Sequence, residues 1–203
     1  MIGSHDTMTY LPVKQWYFKP LKWTAKCQSK TLSQQFYDHG VRLFDFRVRF
    51  DKNGNPIMAH GPIVFKGCIS NYMYDLNNMA AGLNELVYVR VLLESNSEMK
   101  DQEHQEALFK QFCDDIQAYY KHLTFFGGRR KYDWKIVYKF PQDVTLDDKY
   151  SSVTNIFGGS KDSWVAKLDD LWPWLYAKLR NKKNIANHKD EDGILFIDFV
   201  NIK

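Results

Sequence analysis

Long apolar runs are absent from this chain of 203 residues, although 44% of its residues are hydrophobic and 16% are aromatic. A helix that crosses a membrane needs roughly 18 consecutive apolar residues, and no segment approaches that length. The N-terminus has no charged region followed by an apolar stretch, so we expect no signal peptide and a location in the cytoplasm or release without a signal. Any membrane contact is therefore expected to be peripheral.

Cysteine is also scarce, and its spacing follows no known pattern. Cys27, Cys68 and Cys113 are odd in number and lie far apart in the sequence. This distribution argues against a disulfide framework and against zinc, because both use cysteines at characteristic spacings.

Charge of one sign is not concentrated anywhere along the chain. The 28 basic and 24 acidic residues are dispersed and leave a net charge of +4, so no basic tail or stripe indicates a nucleic-acid partner. A mildly basic surface still favours anionic substrates. Repeats, linkers and low-complexity segments are missing as well, and the length suits one domain over residues 1–203, with no indication of its oligomeric state.

Helix and strand signals alternate through the sequence. A helix over residues 31–39 ends at Gly40, and strands over 42–50 and 57–59 flank a turn rich in Asn, Gly and Pro. Further helices are predicted over 71–85, 101–123 and 162–180, the last kinked at Pro173, and further strands over 86–93, 134–140 and 193–200. Such units predict an α/β fold with a parallel sheet, and the length suits a small, irregular (β/α) barrel.

Three segments carry the residue types that phosphate-ester chemistry requires. A Gly-Ser pair precedes His5, a Phe-Asp-Phe run precedes Arg47, and a Gly-Pro pair follows His60. Cleavage of a phosphodiester needs a base for the attacking hydroxyl, an acid for the leaving alkoxide and a fixed cation for the phosphoryl oxygens. Two imidazoles with a reference pKa of about 6.5 and one guanidinium meet these needs.

Carboxylates close to these residues are candidates to orient the imidazoles. Asp6 follows the first histidine, Asp45 lies two residues before the arginine, and Asp198 stands in the last apolar strand. Taken singly, His60 fits a structural histidine and Arg47 an ordinary ion pair. Their joint occurrence favours a catalytic set.

The same segments resemble the catalytic X domain of phosphatidylinositol-specific phospholipase C in its bacterial, metal-independent form. In that family a Gly-Ser/Thr-His-Asp-Ser/Thr segment follows the first strand, as residues 3–7 do here. A glutamine-bearing helix then leads into a Gly-Val/Ala-Arg-x-Phe-Asp-x-Arg strand, which Gln35 and residues 40–47 match. The family's His-Gly-Pro and its final Asp-Tyr/Phe resemble residues 60–62 and 198–199. The resemblance implies a TIM-type (β/α) barrel, here with a shortened first strand.

The resemblance also implies a role for each matched residue. His5 would be the general base for the inositol 2-hydroxyl, with Asp198 on its other ring nitrogen. His60, assisted by Asp6, would be the acid that releases diacylglycerol and then activates water to open the inositol cyclic phosphate. Arg47 would neutralise the phosphate in place of the metal that calcium-dependent relatives bind, so no cofactor is expected.

Substrate binding involves two further positions in this resemblance. Glu94 stands where bacterial enzymes place a lysine and calcium-dependent ones a glutamate metal ligand, and Lys139 lies near a family arginine that contacts inositol. With Arg47 they form the expected binding set for a phospholipid or inositol phosphate.

Two alternatives accompany this interpretation. A related glycerophosphodiester phosphodiesterase also pairs two histidines on a barrel but binds calcium or magnesium, for which Asp45 and Glu94 are the candidate ligands. A non-catalytic module that binds inositol phosphate or a lipid headgroup would keep only the anion pocket.

Tryptophans occur near both ends of the chain. Their roughly helical spacing favours burial in the core, and the alternative is a patch that faces lipid. The residues concerned are Trp16, Trp23, Trp164, Trp172 and Trp174.

Overall fold

The computed structural model describes residues 2–94, 101–141, 172–188 and 194–202. A short 3-10 helix, Trp16–Leu21, follows the first strand. The strands are β1 (Ile2–Ser4), β2 (Leu43–Phe50), β3 (Pro56–His60), β4 (Ile63–Val64), β5 (Val87–Leu93), β6 (Leu123–Arg130) and β7 (Leu195–Ile197). The α-helices are α1 (Lys22–Ala25), α2 (Leu32–Tyr37), α3 (Ile69–Leu83), α4 (Gln102–Tyr119) and α5 (Pro173–Asn187).

Five parallel strands form the main part of the sheet, in the order β6-β5-β2-β1-β7. The antiparallel β3 and β4 continue from the far end of β2. Although β1 has only three residues, it pairs with β7 along its whole length and with β2 at Ser4 and Phe44. The shortened first strand is therefore held between two neighbours.

The two faces of β2 have opposite character because side chains alternate along a strand. Phe44, Phe46, Val48 and Phe50 belong to the main hydrophobic core, which includes residues of α2, α3 and α4. Leu43 belongs to a separate, smaller cluster with Phe126, Ile194 and Phe196. Between these apolar residues the strand carries Asp45, Arg47 and Arg49, all buried. The polar residues of β2 thus share the inner face of the sheet.

The sheet curls around this inner face. The guanidinium of Arg90 on β5 lies 4.1 Å from the ring centroid of Phe196 on β7. In the sheet, however, β2 and β1 lie between β5 and β7. A flat sheet would keep those strands too far apart for contact, since neighbouring strands are about 4.8 Å apart. Among the described residues no pairing joins β6 to β7, so the mixed α/β fold contains a curled half-barrel.

The strand predicted over residues 134–140 is wrong. Residues 123–130 form β6 instead, α4 ends at Tyr119, and the later segment contributes only an antiparallel bridge between Arg129 and Ile136. The second half of β6, Gly-Gly-Arg-Arg, lacks the apolar pattern that predicts a strand, so β6 could not be recognised from the sequence. Gly127 and Gly128, at φ of 99° and 60°, accompany an irregularity in the pairing of β6 with β5.

The kink predicted at Pro173 is also wrong, because this proline occupies the first turn of α5. Proline suits that position, where its missing N–H has no helical acceptor to lose. Residues 162–171 of the predicted helix lie outside the described residues. Within the described ranges, no helix combines the length and apolar content that crossing a membrane requires.

Core burial of the tryptophans is not observed where the structure describes them. Trp16 is 77% exposed, and Trp23, Trp172 and Trp174 are 41–48% exposed. Trp23 and Trp172 contact each other edge to face, with ring centroids 5.8 Å apart. Trp164 lies outside the described residues.

Candidate active site

The loop that carries His5 is fixed by hydrogen bonds to three neighbouring segments. The backbone N–H of His5 donates to Ile197 of β7 at 3.0 Å, and Thr7 exchanges hydrogen bonds of 3.0 and 2.9 Å with the Asp45 backbone of β2. Gln35 of α2 accepts from the Ser4 hydroxyl at 2.6 Å and donates to the Thr7 carbonyl. These contacts hold His5 despite the short β1.

Both ring nitrogens of His5 have charged neighbours. Nδ1 lies 2.7 Å from Oδ1 of Asp198, and Nε2 lies 2.6 Å from a terminal nitrogen of Arg47. A guanidinium can only donate, so Nε2 accepts and the ring proton sits on Nδ1, where it donates to Asp198. Burial, and next the charge of Arg47, lower the pKa of His5 well below its usual value. The imidazole is therefore neutral and has the tautomer that a general base needs.

Asp6 lies between the two histidines in a strained backbone conformation, with φ of 43°. Its Oδ1 contacts Nε of Arg47 at 2.6 Å, and its backbone N–H donates to the Asp45 carboxylate at 3.1 Å. Its Oδ2 lies 3.9 Å from Nε2 of His5 and 3.4 Å from Nε2 of His60. Burial raises the pKa of Asp6 to about 6, and Arg47 opposes that rise.

His60 is the last residue of β3, and its side chain faces Asp6. Its Nδ1 lies 3.3 Å from the carbonyl oxygen of Ala25, which leaves Nε2 directed at the Asp6 carboxylate. Burial, followed by the charges of Arg47 and Lys131, lowers the pKa of His60 to about 3. Asp6 and His60 together thus form a pair in which one proton can be shared.

Arg47 is surrounded by carboxylates. Besides Asp6, it lies 3.5 Å from Asp45 and 3.8 Å from Glu94. Burial acts to lower its pKa, but these three negative charges outweigh burial and raise it. A permanently charged guanidinium is thereby fixed beside the reactive nitrogen of His5.

Asp45 is itself clamped by Arg90, its register partner on β5. Nε and a terminal nitrogen of Arg90 contact the two carboxylate oxygens at 2.8 and 2.7 Å. Burial tends to raise the pKa of Asp45, but Arg90 and Arg47 hold it well below its usual range. The bidentate pair gives Asp45 a fixed orientation, in which it positions Asp6 and Arg47.

Cationic side chains lie close to the oxygens that are candidate ligands for calcium or magnesium. Both oxygens of Asp45 face Arg90, while Oε2 of Glu94 lies 3.8 Å from Arg47 and 3.7 Å from Lys131. A hard divalent cation at Asp45 and Glu94 would meet these positive groups at contact distance. The donor set of the metal-dependent alternative therefore does not fit that cation.

The structure joins the five predicted catalytic residues in one chain of contacts. Asp198 contacts His5, His5 contacts Arg47, and Arg47 contacts Asp6, which faces His60. Glu94, predicted for substrate binding, lies at the edge of this cluster beside Arg47. Lys139 is exposed, and within the described part of the chain no hydrogen bond or ion pair connects it to the cluster.

Three residues of the site were missed from the sequence. Lys131 directly follows β6 and reaches Glu94, Arg90 clamps Asp45, and Cys27 lies 3.8 Å from Oδ2 of Asp6. Recognising residues 123–130 as a strand would have pointed to Lys131, because it follows a parallel strand at the same edge as Glu94. Nothing local distinguished Cys27.

No protein-family model matches the chain, and no curated protein matches it. Solved structures, in contrast, do match it. A point mutant of the phosphatidylinositol-specific phospholipase C from Staphylococcus aureus superposes with a TM-score of 0.62 at 17% identity, covering 98% of this chain and 84% of its own. A structure of the same enzyme from work on its membrane binding gives 0.61 at 18% identity, covering 98% and 85%. These superpositions confirm a mixed α/β fold like that of phosphatidylinositol-specific phospholipase C, whereas the closed barrel that the sequence resemblance implied is not confirmed over the residues that the structure describes.

Proposed function

We propose that this protein is a phosphodiesterase of the phosphatidylinositol-specific phospholipase C type, formed by one domain over residues 1–203. The observation that carries the proposal is the contact of 2.6 Å between Nε2 of His5 and Arg47, with the Asp6–His60 pair beside it. The base His5, the fixed cation Arg47 and the acid pair therefore lie next to one another. The proposed substrate is a phosphoinositide or a related glycerophosphodiester.

In the first step His5 takes the proton of the hydroxyl adjacent to the phosphate as that oxygen attacks phosphorus. Asp198 stabilises the resulting imidazolium through Nδ1. Arg47 stabilises the negative charge that develops on the phosphoryl oxygens. The P–O bond to the glyceride breaks and a cyclic phosphate forms, without a metal ion in this proposal.

The leaving alkoxide takes its proton from His60. The pKa of about 3 belongs to the substrate-free protein, where burial and Arg47 disfavour the imidazolium. A bound phosphodiester brings a negative charge next to Arg47 and offsets its effect, which raises the proton affinity of His60. Asp6 at 3.4 Å is the partner that shares this proton. In the second step the roles reverse: neutral His60 activates water and protonated His5 returns its proton to the ring oxygen.

The headgroup would contact Arg47, Glu94 and Lys131. Glu94 is a buried acceptor suited to the hydroxyls of a polyol, and Lys131 is 31% exposed in its side chain and carries a charge suited to an anionic group. The role of Lys139 in substrate binding stays a prediction.

We further propose that exposed aromatic residues near the site contact a lipid surface. Trp16, Trp23 and Trp172 lie on or beside the segment that reaches Ala25, whose carbonyl oxygen contacts His60. The same segment carries Lys19, Lys22 and Lys26. Exposed tryptophans flanked by cations favour an interface with anionic lipid, because the rings suit the headgroup region and the charges attract the surface.

Incubation with phosphatidylinositol in mixed micelles, followed by phosphorus NMR, tests the reaction and the substrate together. We expect a cyclic phosphate signal, and a turnover number about 10² to 10⁴ lower for His5→Ala or His60→Ala, the usual contribution of general acid-base catalysis. His104→Ala removes an exposed histidine of α4 and is the matched control. Unchanged turnover in both site variants would exclude the mechanism, and inositol phosphate binding without any turnover would identify a non-catalytic module.

A further inference from the structure

A buried thiol lies against the carboxylate of the acid pair. Cys27 is 2% exposed, and its Sγ is a hydrogen-bond donor 3.8 Å from Oδ2 of Asp6. The other oxygen of this carboxylate, Oδ1, contacts Nε of Arg47 at 2.6 Å. The thiol therefore shares Oδ2 with His60, whose Nε2 lies 3.4 Å from the same oxygen. The roles proposed above for Asp6 and His60 make no use of this thiol.

The backbone around Cys27 is held by hydrogen bonds on both sides of the residue. The hydroxyl of Thr9 accepts from the N–H groups of Cys27 and Gln28, at 2.9 Å each. The carbonyl oxygen of Cys27 accepts from the N–H of Phe199 at 2.6 Å. Because these contacts fix the backbone, the thiol can move only between the rotamers of its side chain. Its contact with Asp6 is thus set before any substrate binds.

The same segment fixes the tautomer of His60. The carbonyl oxygen of Ala25, two residues before Cys27, lies 3.3 Å from Nδ1 of this histidine. A carbonyl can only accept, so Nδ1 carries a proton and Nε2 of the neutral ring has a lone pair. A hydrogen bond between Nε2 and Oδ2 of Asp6 then needs one further proton, which resides on either the carboxyl or the imidazole. The position of that proton decides which of the two groups is the acid.

The carboxyl of Asp6 is faced by charged and titratable groups from every neighbouring element. They lie on β2, β3 and β5, directly after β6, and in the loop of Asp6 itself, and they are Arg47, Asp45, His60, Arg90, Lys131 and His5. Burial raises the pKa of Asp6 to about 6 against the opposing charge of Arg47. A thiol that donates to Oδ2 acts in the same direction as Arg47, because a hydrogen bond to the ionised carboxylate stabilises that form.

We propose that Cys27 is a positioning residue of the acid pair, whose thiol donates to Oδ2 of Asp6 and favours transfer of the shared proton to Nε2 of His60. The proton leaves an oxygen that the thiol stabilises as an anion, and it reaches the ring nitrogen that protonates the leaving alkoxide. The thiol keeps its own proton throughout. The catalytic consequence rests on the proposed function, whereas the hydrogen bond and its effect on the carboxyl do not.

Carbon-13 NMR of the Asp6 carboxyl during a pH titration, with the signal assigned through Asp6→Asn, tests the hydrogen bond without any substrate. Cys27→Ala removes the donor, so we expect the midpoint of Asp6 to rise by about half to one pH unit, the equivalent of one net hydrogen bond. Cys27→Ser has nearly the same loss of volume but restores a donor stronger than a thiol, so its midpoint should lie at or below that of the wild type. Cys113→Ala removes another buried thiol, on α4, and should leave the midpoint unchanged. Thermal unfolding of each variant checks that it is folded.

The pH dependence of kcat/KM tests the catalytic consequence. Its alkaline limb reports loss of the shared proton from the free enzyme. In Cys27→Ala we expect this limb to move to higher pH and kcat to fall about 3- to 10-fold, and Cys27→Ser should reverse both changes. Equal Asp6 midpoints in the two folded variants, or an alkaline limb that does not follow the midpoint, would overturn the role of the thiol. A raised midpoint in Cys27→Ala without any wild-type turnover on phosphodiesters would support the hydrogen bond and count against the proposed function instead.

Discussion

The imidazole of His5 is held from opposite sides by a carboxylate and a guanidinium. Asp198 accepts from Nδ1 and Arg47 donates to Nε2, and together they define the tautomer before any substrate binds. Asp198 is 2% exposed, and its own backbone carbonyl accepts from Asn181 of α5 at 2.7 Å. At the scale of single residues, the proposed base is therefore oriented in advance.

Replacing Asp198 by asparagine should separate orientation from charge. The amide keeps the shape and an oxygen that accepts from Nδ1, where the donor Arg47 still directs the ring proton, but it removes the negative charge that stabilises the imidazolium. We expect the turnover number in steady-state assays to fall about 10² to 10⁴-fold, with little change in KM. Asp115→Asn, on the exposed face of α4, is the control. A turnover number within twofold of the wild type would show that the charge of Asp198 does not contribute to the action of the base.

At the scale of elements, β2 and β6 show where sequence patterns predict structure and where they do not. The alternation of Phe44, Phe46 and Val48 with polar residues predicted a strand over 42–50, and β2 spans Leu43–Phe50. The sequence of β6 does not show this alternation of apolar and polar residues. Its second half is held by backbone hydrogen bonds, in which the carbonyl of Gly128 accepts from the N–H groups of Val137 and Tyr138, at 2.9 Å each. Such contacts leave no periodic signal in the sequence.

Gly128 is the position where this arrangement is most sensitive. Its φ is 60°, and a Cβ atom there would lie 2.0 Å from the carbonyl oxygen of Tyr138. Gly40 has a similar φ of 65° but no atom within 4 Å of its Cβ position, so Gly40→Ala measures backbone strain alone, roughly 1–2 kcal/mol. In chemical denaturation we expect the free energy of unfolding of Gly128→Ala to fall by about 1–3 kcal/mol more than that of Gly40→Ala, which is the cost of overpacking. Equal losses of unfolding free energy in the two variants would show that β6 can move to accommodate the added methyl group.

For the molecule as a whole, exposed tryptophans lie on the segment whose Ala25 carbonyl oxygen contacts His60 of the proposed site. The segment 16–28 connects them, since it carries Trp16 and Trp23 outward and Cys27 inward against Asp6. Lys22 ties this segment back to the loop after β1 through the carbonyl oxygen of Tyr10, at 3.1 Å. A lipid surface bound there would bring headgroups to the mouth of the curled sheet.

Sedimentation with vesicles of phosphatidylcholine and phosphatidylinositol tests this surface. Trp16→Ala should weaken binding about tenfold, because the ring buries apolar area worth roughly 1.5 kcal/mol. Thermal stability should change little, since Trp16 is 77% exposed. Tyr119→Ala removes an aromatic ring that is 76% exposed on α4 and should bind vesicles as the wild type does. Equal weakening in both variants would mean that binding is not confined to this surface.

The sequence was sufficient to predict the strands with regular alternation, the residue types of the proposed reaction and, through matched segments, a fold like that of phosphatidylinositol-specific phospholipase C. It did so because periodicity and residue chemistry are local properties. Which groups meet is seen only in the folded chain: Asp198 reaches His5 across 193 positions, and Cys27 lies beside Asp6 although nothing near it in the sequence pointed to the site. The order of the strands and the curl of the sheet set those distances, and neither is written in the spacing of residues along the chain.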